Sequence, residues 1–106
     1  RFWLIKIGLQ DGLLLGPLAV RNDLRGHGLG SKLINYSLKC AKLKNFNFCF
    51  VSGEEDYYPK FGFQKIDSNK LILPGYIDPK RLHIIFLKKQ IIDLMGEYPW
   101  KIIPQN

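Results

Sequence analysis

Leu13-Leu14-Leu15-Gly16-Pro17-Leu18-Ala19-Val20, followed shortly by Arg25-Gly26-His27-Gly28-Leu29-Gly30, decides the fold of this chain. The first run is apolar almost throughout, the pattern of a strand covered on both faces. Asn22 and Asp23 supply turn chemistry behind it. Three glycines at alternate positions then lead into a helix from about Leu29. The first four N–H groups of a helix lack internal partners and sit at the positive end of its dipole. An anion, most naturally a phosphate, satisfies them, and missing side chains let it approach. The stretch therefore reads as strand, turn and phosphate-binding helix start.

Working outward, residues 2–7 (Phe-Trp-Leu-Ile-Lys-Ile) read as a strand, with Asp11-Gly12 as the turn that ends it. With residues 13–20 they form an expected antiparallel pair. A helix over residues 29–43 carries Leu29, Leu33, Tyr36, Cys40 and Leu43 at three- and four-residue spacing, with Lys32, Asn35, Lys39 and Lys42 largely opposite. Lys44-Asn45 closes it. Residues 46–51 form a second apolar strand, parallel to residues 13–20 because a helix connects them. The glycine turn then lies at the C-terminal end of a parallel strand, where open sheets bind ligands. An acidic turn follows at residues 52–56, then a helical turn over 56–61 and a strand over 63–66. Residues 67–81 read as a connecting loop, 82–87 as a last strand and 91–95 as a short helix. The tail from Gly96 onward carries little signal.

The 106 residues allow one domain at most, and 46% hydrophobic with 13% aromatic content is that of a folded globular chain. No apolar run of about 18 residues exists to span a membrane, and no signal peptide opens the sequence. Cys40 and Cys49 lack metal-ligand spacing and read as reduced, buried thiols in a cytoplasmic protein. No His/Cys/Asp cluster suggests a metal. The net charge of +7 favours a polyanionic partner. Its lysines are scattered, and the aromatics lack Lys/Arg interleaving, which weighs against a nucleic-acid-binding domain. Two phosphate-binding rivals fail on register. A dinucleotide fingerprint needs glycine at 31 or 33, where Ser31 and Leu33 stand, and a P-loop needs Gly-Lys-Ser/Thr, whereas Ser31 precedes Lys32.

Together Leu15-Gly16-Pro17-Leu18-Ala19-Val20, residues 25–30 and Tyr57-Tyr58-Pro59-Lys60-Phe61-Gly62-Phe63 closely resemble the GNAT superfamily of acyl-CoA-dependent N-acetyltransferases, in particular its small bacterial branch. The resemblance runs in order and spacing from Phe2 to about Leu87. It implies a mixed α/β (α+β) fold: a mostly antiparallel sheet, flanked by helices, whose parallel strands 13–20 and 46–51 splay apart. It implies that acetyl-CoA lies in the splay, with its pantetheine arm along the backbone of Leu18, Ala19 and Val20. The pyrophosphate would be held by N–H groups of Arg25, Gly26, His27, Gly28, Leu29 and Gly30, with Ser31 adjoining. The four or so negative charges of CoA would then account for the basic balance.

The resemblance further implies a catalytic tyrosine four residues before Gly62, which is Tyr58, acting as general acid toward the departing CoA thiolate. Tyr57 reads as packing. Glu54 lies where a carboxylate base for the amine could sit, although a solvated turn carboxylate is the plainer reading. His27 occupies a variable, solvent-facing position, and His83 reads as a half-buried strand residue. Family members begin with a strand, two helices and another strand ahead of the segment matching residues 2–7, and these have no counterpart here. The expectation is a partial domain, with residues 2–7 a bare apolar edge and the acceptor-shaping half absent. The implied function is acetyl transfer from acetyl-CoA to a small-molecule or peptide primary amine by direct attack in a ternary complex. The alternative is a non-catalytic acyl-CoA-binding module.

Overall fold

The computed structural model describes residues 2–15, 29–53, 57–74, 81–88, 91 and 95–105. A hairpin opens it: β1 (Phe2–Ile7) and β2 (Gln10–Leu15) pair antiparallel, from Phe2 opposite Leu15 to Ile7 opposite Gln10. The turn is Gly8-Leu9, not the expected Asp11-Gly12. Gly8 carries φ +60°, the left-handed backbone that the first position of a type II′ turn requires. Gly12 instead lies inside β2, where a Cβ would collide with the Phe48 ring of the neighbouring strand. Across the hairpin Lys6 meets Asp11 at 3.6 Å, an exposed pair worth about 0–1 kcal/mol.

Helix α1 (Leu29–Leu43) has the predicted bounds. It ends in a Schellman motif with Asn45 at φ +69°: Phe46 N–H donates to Ala41 O and Asn45 N–H to Lys42 O, each at 3.0 Å. Its buried face is not the expected one. Ile34, Leu38 and Ala41 face the core, whereas Leu33, Tyr36 and Leu43 are exposed and Cys40 is half-buried. Both rows have helical spacing, and the sheet takes the one a residue further round.

The helix returns the chain to β3 (Phe48–Ser52), parallel to β2 from Gly12 opposite Phe48 to Leu15 opposite Val51. Asn47 stitches the start of this ladder, its N–H donating to Asp11 O at 2.9 Å and its side-chain amide to Gln10 Oε1 at 2.9 Å. A short 3₁₀ helix (Tyr58–Phe61) leads to β4 (Gln64–Lys65), narrower than the expected 63–66. The expected loop at 67–81 contains a 3₁₀ turn (Ser68–Lys70) and β5 (Leu71–Ile72). β6 (Leu82–Phe86) pairs antiparallel with β3 and β4. Of the expected helix at 91–95, Ile91 is helical and Met95 is not, and 92–94 lie outside the described residues.

The tail corrects the largest expectation. Trp100–Gln105 forms β7, antiparallel to β1 with Ile7 opposite Ile102, so β1 is not a bare edge. The seven strands of the described residues run in the order β4-β6-β3-β2-β1-β7-β5. β4 and β5 are the two outermost strands, yet only residues 66–70 join them. Six flat strand spacings would separate them by ~29 Å, while the chain from Lys65 to Leu71 reaches ~21 Å at most. The sheet must therefore curl. Its concave side encloses one core of Ile5, Ile7, Leu14, Phe48, Phe50, Leu82, Ile84, Trp100 and Ile102 among others, and α1 covers the other side over Leu13, Leu15, Cys49 and Val51.

Candidate active site

The glycine turn can be followed only from its helical end. Of the expected cofactor-binding residues, Leu18, Ala19, Val20, Arg25, Gly26, His27 and Gly28 lie outside the described residues, as does Glu54. Leu29, Gly30 and Ser31 form the first turn of α1, which holds no acidic side chain. No acidic side chain of that turn opposes an anion at the positive end of the helix dipole. The described β2–β3 ladder ends at Leu15 opposite Val51. The expected parting of these strands falls beyond it, outside the described residues.

Tyr58 is fully described. It starts the 3₁₀ helix, with Pro59 fixing φ in the first turn and Gly62 closing it at φ +99°, its N–H donating to Pro59 O at 3.0 Å. The side chain is 5% exposed and belongs to the same apolar cluster as Leu15 and Val51, the last rung of the parallel ladder. Its ring meets Tyr57 at 5.2 Å and Phe63 at 6.0 Å, both edge-on, and His83 at 5.6 Å and a 44° tilt. Below it lies Gly53, the residue after β3. A Cβ there would run into the ring and lie 2.6 Å from the phenol oxygen. Glycine thus lets the hydroxyl rest against the backbone at the C-terminal end of β3. Tyr57 is half-buried, with the Lys60 ammonium 4.2 Å above its ring.

Sequence reasoning missed two residues of this cluster. Gly53 was one turn glycine among many; its position straight after an apolar strand and five residues before the tyrosine was the available signal. His83 is not half-buried but 1% exposed. Its Nδ1 lies 3.2 Å from Arg81 O, the carbonyl that also accepts the Gly53 N–H at 3.0 Å. Cys49 is buried in β3, which pushes its thiol up to about 12 and leaves it protonated and unreactive. Among the described residues no cluster of His, Cys, Asp or Glu could hold a metal, and no helix is long and apolar enough to cross a membrane.

A buried phenol at the end of a parallel strand, beside a strand that feeds a glycine-rich helix start, suits group transfer from a phosphate-bearing donor. Known proteins resemble this chain. Residues 2–65 match the family described as the acetyltransferase (GNAT) domain. The uncharacterized N-acetyltransferase YjhQ of Escherichia coli (strain K12) is 35% identical over 66 residues, covering 62% of this chain and 34% of that protein. The GNAT family N-acetyltransferase YhbS of Escherichia coli, solved in complex with CoA, superposes with a TM-score of 0.75 at 19% identity, covering 98% of this chain and 57% of that one. A GNAT family acetyltransferase from Brucella melitensis, in complex with acetyl-CoA, gives a TM-score of 0.58 at 22% identity, covering 96% and 54%. The chain thus spans about a third of the length of YjhQ and just over half of the two solved proteins. The family match takes in both parallel strands, the glycine turn and Tyr58, and on that ground the chain belongs to the GNAT acetyltransferase family.

Proposed function

We propose that this domain transfers an acetyl group from acetyl-CoA to a primary amine, with Tyr58 as the general acid. The observation that carries the reading is the seat of Tyr58: its hydroxyl lies against Gly53 at the C-terminal end of β3, the strand that pairs with β2 ahead of the glycine turn. The relatives solved with CoA and acetyl-CoA support the choice of donor. In this reading N–H groups from Arg25 to Gly30 grip the pyrophosphate, with Ser31 adjoining. Backbone N–H groups of Leu18 and Val20 orient the thioester and polarise its carbonyl.

The neutral amine attacks the thioester carbon, forming the C–N bond and a tetrahedral oxyanion. As that collapses, the C–S bond breaks and the Tyr58 hydroxyl proton passes to the departing sulfur. The excess proton on nitrogen then passes, directly or through water, to the phenolate, which restores Tyr58. A thiol near pKa ~8.5 and a phenol near ~10 are close enough for the transfer. The low exposure of Tyr58 keeps bulk water from supplying that proton instead.

Tyr58→Phe keeps the ring and removes only the hydroxyl. It should lower turnover by roughly 10²-fold or more while acetyl-CoA affinity hardly changes. Calorimetric titration gives the affinity, and CoA release with a panel of amines gives the turnover. Undiminished turnover would discard the role. Gly28→Val should abolish acetyl-CoA binding by filling the phosphate approach. Wild-type affinity in that variant would discard the glycine turn as the pyrophosphate seat.

A further inference from the structure

We infer that His83, together with Gly53, is a positioning residue that fixes where the Tyr58 hydroxyl stands. The inference rests on the reading of Tyr58 as the acid. His83 is the buried polar side chain of the described core, in a strand whose neighbours Leu82 and Ile84 are buried and apolar. A dry polar group is disfavoured unless hydrogen-bonded, and an aliphatic residue would fill the place without that cost.

The register shows what the imidazole does. His83 lies opposite Val51 on β3 and Lys65 on β4. Directly opposed residues share a face, so the ring rises on the side of the sheet that Val51 and Tyr58 occupy. There it backs the Tyr58 ring at 5.6 Å. Its own orientation is pinned at Nδ1, 3.2 Å from Arg81 O. A carbonyl oxygen only accepts, so Nδ1 carries the hydrogen. The same oxygen accepts the Gly53 N–H. The wall behind the phenol and the floor beneath it are thereby tied to one atom. Phe63 and Tyr57 stand around the rest of the ring. Placement of this kind acts on the chemical step, since a misplacement of about 1 Å can cost ~10²-fold in rate.

The test uses the whole chain labelled with 13C-tyrosine, the Tyr58 signals being assigned through Tyr58→Phe. In His83→Ala the Tyr58 ring should flip at least about tenfold faster and its hydroxyl-bearing carbon should shift, since the wall is gone. His83→Phe keeps a ring but not the Nδ1–H, and should show a smaller change of the same sense. Should His83→Ala fail to fold, His83→Phe carries the same readout. Tyr58 signals unchanged in the folded variants overturn the inference. With acetyl-CoA and a lysine-containing peptide or spermidine as acceptor, His83→Ala should lower kcat about tenfold and leave the KM for acetyl-CoA within about twofold. A loss expressed only in KM also overturns it. The two readings separate cleanly: full turnover in Tyr58→Phe sinks the acid role, while impaired Tyr58→Phe beside unaffected His83→Ala sinks the positioning role alone.

Discussion

Gly53 shows how much can turn on an absent side chain. A methyl group there has nowhere to go except into the Tyr58 ring, which is itself hemmed in by Tyr57, Phe63 and His83. Gly53→Ala should therefore lose about 1–3 kcal/mol through overpacking, read from a urea titration. Cys49 makes the opposite case, a reactive group rendered inert by burial. Its thiol, held near 12 in the fold, returns to the ordinary range on unfolding. Between those values the unfolded chain binds fewer protons than the native one, so stability falls as pH rises from about 9 toward 12. Cys49→Ala should flatten that limb of a pH series of denaturant melts, and an unaltered slope would assign it to other groups. At this scale the sequence was legible in the helical turn that carries Tyr58, expected over residues 56–61 and found at Tyr58–Phe61. It was opaque where the partner comes from a distant part of the chain, as with Arg81, whose carbonyl meets Gly53, and His83, whose ring meets Tyr58, once β3 and β6 pair.

The elements were read best where local chemistry alone sets them. Helix α1 runs over the expected Leu29–Leu43, and its end follows from the left-handed backbone of Asn45. Asn45 adopts a left-handed conformation that glycine enters more freely, so Asn45→Gly should add up to about 1 kcal/mol. A thermal melt would show that as a rise of several degrees. Which face the helix buries was not legible, because Leu33, Tyr36, Cys40 and Leu43 form as good an apolar row as Ile34, Leu38 and Ala41. The two rows predict opposite mutational outcomes. Leu38→Ala should destabilise by about 2–4 kcal/mol, and Leu43→Ala should stay within about 0.5 kcal/mol. β7 lies in a tail with little strand signal, and its Pro104 is a residue that disfavours strands. Beyond Lys101 it has no described neighbour on its outer side, which is where a strand tolerates proline.

On the scale of the whole molecule, order in sequence and order in space part company. The hairpin, the helix and β3 follow one another as neighbours, but β7 crosses to the far side of β1 and β5 joins it there. Sequence patterns could not reveal this, since the pairing of Ile7 with Ile102 is a contact across nearly the full chain. Removing residues 96–106 should strip β1 of that partner and uncover Trp100's place in the concave core. The shortened chain should self-associate through the freed edge, visible as early elution on a sizing column. A monomer of undiminished thermal stability would show that β7 is dispensable.

The strip of chain at 66–70 has a mechanical meaning beyond topology. It works as a tether whose length caps how far the sheet can unroll, because it is anchored at both margins. Lengthening it with a few glycines would slacken the wrap at its anchor β4, whose Lys65 pairs with His83 behind Tyr58. Curvature and chemistry in that sense meet at β4, and a change of tether length would be felt at both.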